Sequence, residues 1–304
     1  MLYIAKHDSG GNDDEGAVTH ALTRLGHDVQ RLREEKGSLA KRVPNVDLLL
    51  FHKWDDVEML QRFDGICPRA FWYFDLVDWP SDPSLAGRCQ GRREWMARIT
   101  PHVELGFCTD GDWVAQDTTG KLRWLPQGAD ERMVGRGSPE KCPTCSTPWT
   151  GTPILFTGIS RGGGRRRESF VEEMQTRWRD KFRHVQAGVH GRALADLVAS
   201  SQAVVCPDSP VTDRYWSNRV YLLAGFGATL LHPYCKGLRD YGYTTDEVLM
   251  YRDRQELRSY LDAILQDSNL RDELSAAALE RTKREHLYRH RVQKLIEAVE
   301  GLRQ

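Results

Sequence analysis

The sequence contains no apolar run approaching the roughly 20 residues that a membrane-spanning helix requires, and this argues against an integral helical membrane protein. It carries no surplus of charge either: 43 basic residues balance 43 acidic ones, so no strong overall field draws in polyanions. Neither G-x-x-x-x-G-K-[ST] nor G-x-G-x-x-G occurs, which removes the sequence grounds for nucleoside triphosphate hydrolysis and for hydride transfer. There is no internal repeat and no low-complexity tract. Cysteine is scarce and odd in number, seven residues scattered along the chain, as expected of reduced thiols and not of a disulfide framework. Met1 leads straight into Leu2-Tyr3-Ile4-Ala5 without the charge pattern of a signal peptide, from which a cytoplasmic protein is expected.

What is present is the composition of a folded protein. Apolar residues make up 40% and charged residues 28% of the 304, with nine Trp and ten Tyr, enough to build cores in two domains of ordinary size. An apolar strand at Leu2–Ala5 is followed by a polar loop and by helical spacing of Ala17, Leu22 and Leu25, closed by Gly26. A second strand is expected from His27, and further strands at Val46–Phe51, Arg69–Phe74, Glu104–Thr109 and Lys121–Leu125. Continuous apolar runs of this kind suit a parallel sheet buried on both faces.

Between Met133 and Pro153 the composition shifts to Gly, Ser, Pro, Thr and Cys, as in an interdomain connection. The boundary is placed near Gly151, giving domains 1–150 and 151–304. The second half restarts with a strand at Ile154–Gly158, a glycine-rich basic loop and an amphipathic helix from Arg167 to Phe182. Strands around His184–Ala187, Ala203–Pro207 and Ala228–His232 alternate with helices at Gly191–Ser200 and Asn218–Gly225, and the end of the chain is helical. Two α/β lobes, each a Rossmann-like doubly wound parallel sheet, are therefore expected to face a cleft, with functional groups at the carboxyl ends of the strands.

Two stretches carry the chemistry of the second half. Gly158 to Arg167 (GISRGGGRRR) stands at the end of a strand and just before a helix, where unsatisfied N–H groups favour an anion; a solvated loop is the plainer reading. Pro207 to Gly227 crowds Asp208, Ser209, Tyr215, Trp216, Ser217, Asn218 and Arg219 around the start of a helix. Ser217 or Asn218 can cap that helix, whereas Arg219 in its first turn opposes the local dipole unless an anion lies near. An internal ion pair for Arg219 is the alternative.

From Ser217 onward the chain resembles the group-one glycosyltransferases of the CgeB-like, spore-maturation kind. The matching pieces are Asn218-Arg219-Val220-Tyr221, Gly225-Phe226-Gly227-Ala228, Asp246-Glu247-Val248, the Tyr251–Leu257 segment and Glu285-His286-Leu287-Tyr288-Arg289-His290-Arg291, with a weaker parallel at Trp72-Tyr73-Phe74-Asp75. The resemblance implies a GT-B fold whose second lobe binds a nucleotide sugar, a UDP-sugar by expectation, as co-substrate with no further cofactor. On that reading Gly158, Ser160, Arg161, Arg165 and the Asp208–Arg219 cluster face the donor. Many relatives have a glutamate for the ribose or sugar where this sequence has Tyr221, so that contact must come from elsewhere.

In the first lobe Asp75, in WYFDLVD, is the leading candidate for the general base that an acceptor hydroxyl needs. Asp78, Asp13, Asp14 and Glu15 are placed to replace or assist it. Asn12, Glu15, Trp79 and Gln127 are assigned to the acceptor, while Asp110 and Asp112 read as turn residues. Cys142 and Cys145 have the spacing of half a zinc site, but no second C-x-x-C exists and no metal is expected. Arg281 to Lys294 sets six Lys/Arg and two His against Glu285; it reads as a solvated basic helix, with nucleic acid contact as the sharper possibility. Local arginine clusters and a Trp-rich first lobe resemble the phage enzymes that glycosylate hydroxymethylated pyrimidines in DNA, and such a base is the favoured acceptor, with the host cytoplasm as location. A cell-surface or spore glycan is the rival acceptor, and a non-catalytic sugar- or nucleic-acid-binding module the rival class. A monomer with no membrane contact is expected.

Overall fold

The computed structural model describes residues 1–7, 13–34, 45–79, 86–135, 137, 153–162, 165–186, 188–207 and 212–303, with backbone alone at 161, 162, 165, 166 and 303. These fall into two compact units, Met1–Gln127 with Tyr288–Gln304, and Gly128–Leu287.

The first unit opens with β1 (Leu2–Ala5), α1 (Asp14–Arg24) and β2 (Gln30–Arg33). Asp13 caps α1 by accepting the Gly16 N–H (2.8 Å). Beyond the end of the helix the chain turns at Gly26, whose φ of +90° suits glycine, and the His27 N–H still donates back to the Leu22 carbonyl (3.1 Å). His27 is thus occupied in closing the helix, and the second strand begins three residues later than the sequence reading placed it. β3 (Leu49–Phe51), α2 (Val57–Gln61), β4 (Arg69–Tyr73), α3 (Ala86–Ile99), β5 (Leu105–Cys108), α4 (Gly111–Val114) and β6 (Leu122–Trp124) follow. All six strands are parallel, in the order β2-β1-β3-β4-β5-β6.

The second unit contains β7 (Ile154–Thr157), a two-stranded hairpin of β8 (Arg161–Gly162) and β9 (Arg165–Arg166), α5 (Glu168–Trp178), β10 (Phe182–Val185), α6 (Gly191–Ala199) and β11 (Ala203–Val205). It continues with α7 (Arg219–Gly225), β12 (Leu230–Pro233), β13 (Leu249–Tyr251), α8 (Arg254–Gln266) and α9 (Ser268–Glu285). Five parallel strands form the order β10-β7-β11-β12-β13. Their buried face, with Phe156, Val205 and Leu231, meets Phe170 and Met174 of α5 and Leu257 and Leu261 of α8.

The last helix, α10 (Tyr288–Glu300), returns to the first unit. Its buried residues Tyr288, Val292, Leu295 and Val299 join Ala17, Val18, Ala21 and Leu22 of α1 against Tyr3, Leu50 and Trp72 of the sheet. The sequence boundary had left this segment with the second domain and residues 128–150 with the first. Instead Ala129 donates to the His286 carbonyl (2.8 Å) and Gly135 to that of Gly225 (2.9 Å), both in the second unit. Hydrophobic periodicity shows that a helix is amphipathic but not which core its apolar stripe will enter.

Arg281–Lys294 is correspondingly not one basic helix. Arg281 and Arg284 pair with Glu285 (3.0 and 2.9 Å) and Lys283 with Glu280 (2.7 Å). His286 is buried, donating Nε2–H to the Gly242 carbonyl (2.8 Å), and buried Arg291 donates to the Gln127 carbonyl (3.0 Å). Cys67, Cys89, Cys108, Cys206 and Cys235 are buried free thiols, and no described helix is long and apolar enough to cross a membrane.

If α10 is part of the first core, Leu295→Ala should lower unfolding free energy by about 2–5 kcal/mol. Truncation of its exposed neighbour Lys294 should change it by less than about 0.5 kcal/mol. Urea denaturation of the two variants measures the difference.

Candidate functional site

In the second unit the direction of chain crossover reverses between β7 and β11, the place where open parallel sheets leave a crevice beyond their carboxyl ends. β7 ends at Thr157, and Gly158 turns out of the strand with φ +138°, a conformation that L side chains avoid. Its N–H donates to the Val185 carbonyl (2.9 Å) and its own carbonyl accepts from His184 Nε2 (2.7 Å), so β10 fixes the peptide from both sides. The His184 ring is held in turn by stacking on Phe156, centroids 4.9 Å apart and planes 7° from parallel.

Arg219, the first residue of α7, reaches this turn. Its Nη1 donates to the Thr157 carbonyl, and a side chain at position 158 would run into the guanidinium. Gly158 is therefore required twice, for its backbone angle and for the space Arg219 occupies. Among the described residues no carboxylate pairs with Arg219, so the internal ion pair weighed from sequence is absent there. A carbonyl partner orients a guanidinium without neutralising it, which leaves its planar donor fork for an anion.

The approach to α7 is fixed by short polar contacts. Ser217 Oγ accepts the Arg219 N–H (3.3 Å), Gly237 N–H donates to the Asp213 carbonyl (2.7 Å), and the Cys235 thiol to that of Thr212 (3.1 Å). Trp216 is buried and faces Tyr221 (6.4 Å), which lies 5.9 Å from Tyr243 and 5.1 Å from His286. Tyr221, standing where the resemblance expects a glutamate, is a core residue.

Of the sequence-nominated donor residues, then, Gly158, Ser217 and Arg219 converge. Tyr215 and Asn218 are half-buried at the entry to α7. Ser160 is half-buried just past the turn, its carbonyl accepting from Arg167 N–H (3.1 Å). Arg161 and Arg165 sit on the β8–β9 hairpin, where a plain loop had been expected. Asp208 and Ser209 lie outside the described residues, as do Asn12, Cys142 and Cys145. Among the described residues no group of His, Cys, Asp and Glu converges as a metal site would need.

In the first unit the crossover reverses between β1 and β3. His7 lies just beyond β1, and His52 and Lys53 directly follow β3. Asp75, two residues past β4, is ion-paired with Lys53 and lies 3.5 Å from Arg92. Burial works to raise its proton affinity, but Lys53 and Arg92 outweigh it and hold the carboxyl below its usual range. A carboxylate so stabilised is a weak proton acceptor, which counts against Asp75 as the leading base. Asp78 pairs with Arg93, and Trp79 beside it is half-buried.

Asp14 accepts from Tyr288 Oη (2.7 Å) and from Gln127 Nε2 (3.0 Å), so both Asp14 and the amide of Gln127 are engaged inside the unit. Buried Asp110 accepts N–H groups of Trp113 (3.0 Å) and Val77 (2.9 Å), the turn role the sequence suggested. Glu15, in the first turn of α1, is only 9% exposed, and burial pushes its carboxyl up to about 7.

Sequence reasoning passed over His7, His52, Lys53 and His184. The signal available for the first three was a polar residue immediately after a buried strand. His52 is buried and donates Nδ1–H to the Trp72 carbonyl (2.7 Å), which fixes its tautomer; burial, then Lys53, lowers its proton affinity to about 4. It is a neutral imidazole at physiological pH.

Comparison with known proteins follows this geometry. The profile of a family described as glycosyl transferase-like matches residues 146–297, half of the chain. No curated protein matches the sequence. Sucrose-phosphate synthase from Thermosynechococcus elongatus superposes with a TM-score of 0.68 at 12% identity, over 99% of this chain and 98% of that one. HepE of Anabaena, in complex with UDP and glucose, gives 0.64 at 9% identity over 99% of each chain. A glycosyltransferase from Rickettsia africae gives 0.59 at 10% identity, over 100% of this chain and 98% of that one. Identities so low establish the fold alone, the two parallel-sheet units of GT-B enzymes. The family match adds the class: the chain belongs to the glycosyl transferase-like family.

Proposed function

We propose that the protein moves a sugar from a nucleoside diphosphate donor, a UDP-sugar, to a hydroxyl acceptor, with the donor diphosphate bound by the second unit at Gly158 and Arg219. The observation that carries this reading is the Arg219 guanidinium, oriented by the Thr157 carbonyl and paired with no described carboxylate, at the carboxyl edge of the sheet. The presence of UDP and glucose in the HepE complex supports the choice of donor. In the reaction the acceptor oxygen bonds to the anomeric carbon and gives up its proton to a base, the bond from that carbon to the diphosphate oxygen breaks, and UDP leaves with the electron pair. Negative charge grows on the leaving diphosphate, where a preorganised cation stabilises it most.

The acceptor is proposed only as far as a hydroxyl group. A hydroxymethylated DNA base was expected from local arginine clusters and a Trp-rich first lobe, and one of those clusters, Arg281–Lys294, is largely engaged by Glu280, Glu285 and internal carbonyls. Those pairings favour a sugar hydroxyl over a DNA base.

Arg219→Ala should weaken UDP binding about 10- to 100-fold in calorimetry, the cost of losing a charge-assisted contact. Gly158→Ala should do the same by displacing the guanidinium. UDP affinity unchanged in both would remove the diphosphate from this site. A panel of nucleotide sugars, offered with free sugars, glycans and hydroxymethylcytosine DNA and read by mass, should give transfer with a uridine donor. Mass gain on DNA alone would reinstate the base as acceptor.

A further inference from the structure

The carboxylates at the carboxyl edge of the first sheet differ in what already holds them. Asp75 has Lys53 and Arg92, Asp78 has Arg93, Asp14 has Tyr288 and Gln127, and Asp13 caps α1. Glu34 accepts the Lys53 N–H and keeps one buried oxygen without a described partner. Glu15 differs in that, among the described residues, neither a cation nor a side-chain donor meets its carboxylate, although the residue is nine-tenths buried. Burying a carboxylate without a partner costs several kcal/mol unless it takes up a proton or a ligand. Just beyond β1, His7 is 6% exposed in the left-handed region (φ +48°); its Nε2–H reaches the Tyr3 carbonyl (3.1 Å) while its buried Nδ1 has no partner among the described residues. His7 stands just beyond β1 and Glu15 in the first turn of α1, beside the crossover reversal.

Resting on the sugar-transfer reading above, we infer that Glu15, and not Asp75, is the carboxylate that engages the acceptor hydroxyl. Ionised, it accepts the hydrogen bond of the attacking O–H and takes up its proton as the oxygen bonds to the anomeric carbon; protonated, it cannot take that proton. The groups that face it are Tyr3 from β1, Asp13 and Asp14 from its own helix and Glu34 beyond β2. Burial raises its proton affinity most, and the three neighbouring carboxylates add to the rise against the pull of its own backbone N–H. A hydroxyl donor that reaches Glu15 meets an acceptor with no competing cation among the described residues.

Glu15 is ionised above about 7, so kcat/KM for the acceptor rises through that pH to a plateau. Stability moves the other way: the folded chain holds the Glu15 proton more tightly than an ordinary carboxyl near 4.5, so this group's contribution is intact below that value and is lost as pH rises to about 7.

The test compares the parent, Glu15→Gln and Asp75→Asn between pH 5.5 and 9, with UDP affinity and melting temperature measured alongside. Glu15→Gln is expected to lose about 100-fold or more in acceptor kcat/KM at pH 8, to lose the acidic limb near 7, to bind UDP as the parent does, and to gain in melting temperature relative to the parent as pH rises from 5.5 to 8. Asp75→Asn keeps the limb. Glu15→Gln within threefold of the parent with the limb intact overturns the inference, as does a fall in UDP affinity. A parent that binds UDP yet transfers to no hydroxyl overturns the transfer reading and the inference with it.

Discussion

A guanidinium held against a backbone carbonyl instead of a carboxylate is the contact on which the functional account depends. Arg219 reaches the Thr157 carbonyl only because position 158 is glycine, and Gly158 keeps its backbone angle because β10 grips it through Val185 and His184. The chain of dependence runs from a parallel strand register, through one residue without a side chain, to a positive charge at the sheet's edge that no described carboxylate neutralises. Had an aspartate been the partner, the same arginine would be a closed ion pair contributing to structure and little else.

The first unit is arranged by the opposite rule. Its charges are mostly satisfied internally, and burial sorts what remains by protonation: His52 is neutral, Asp75 is an ionised member of a pair, and Glu15 is poised near neutrality. Four acidic groups gather around Tyr3, which are Asp13, Asp14, Glu15 and Glu34. Asp13 caps α1 and Asp14 accepts from Tyr288 and Gln127, whereas Glu15 meets no described cation or side-chain donor and Glu34 keeps one buried oxygen without a described partner. Two sheets of similar topology thus present different chemistry, a cation in one and a proton-sensitive carboxyl in the other.

Much of the fold was legible because parallel strands buried on both faces are written as continuous apolar runs. LYIA, LLLF, RAFWY and ILFT each mark a strand within a few residues. The hairpin Arg161–Arg166 and β13 were not legible, since short edge strands lack such runs. The home of α10 was hidden for another reason: its apolar stripe fits any core, and α1 with β1 claims it through packing that no local pattern encodes. At the site, glycine after a strand and arginine at a helix start pointed to Gly158 and Arg219. The choice between Asp75 and Glu15 was beyond the sequence, because Lys53 and Arg92 meet Asp75 only once β3, β4 and α3 are assembled.

The most direct test of the central claim is a crystal structure with UDP bound. The account predicts the β-phosphate within about 3 Å of the Arg219 guanidinium, beside the Gly158 turn and with the Thr157 contact kept or exchanged for phosphate oxygen. UDP seated elsewhere, with Arg219 still turned only to the Thr157 carbonyl, would contradict it.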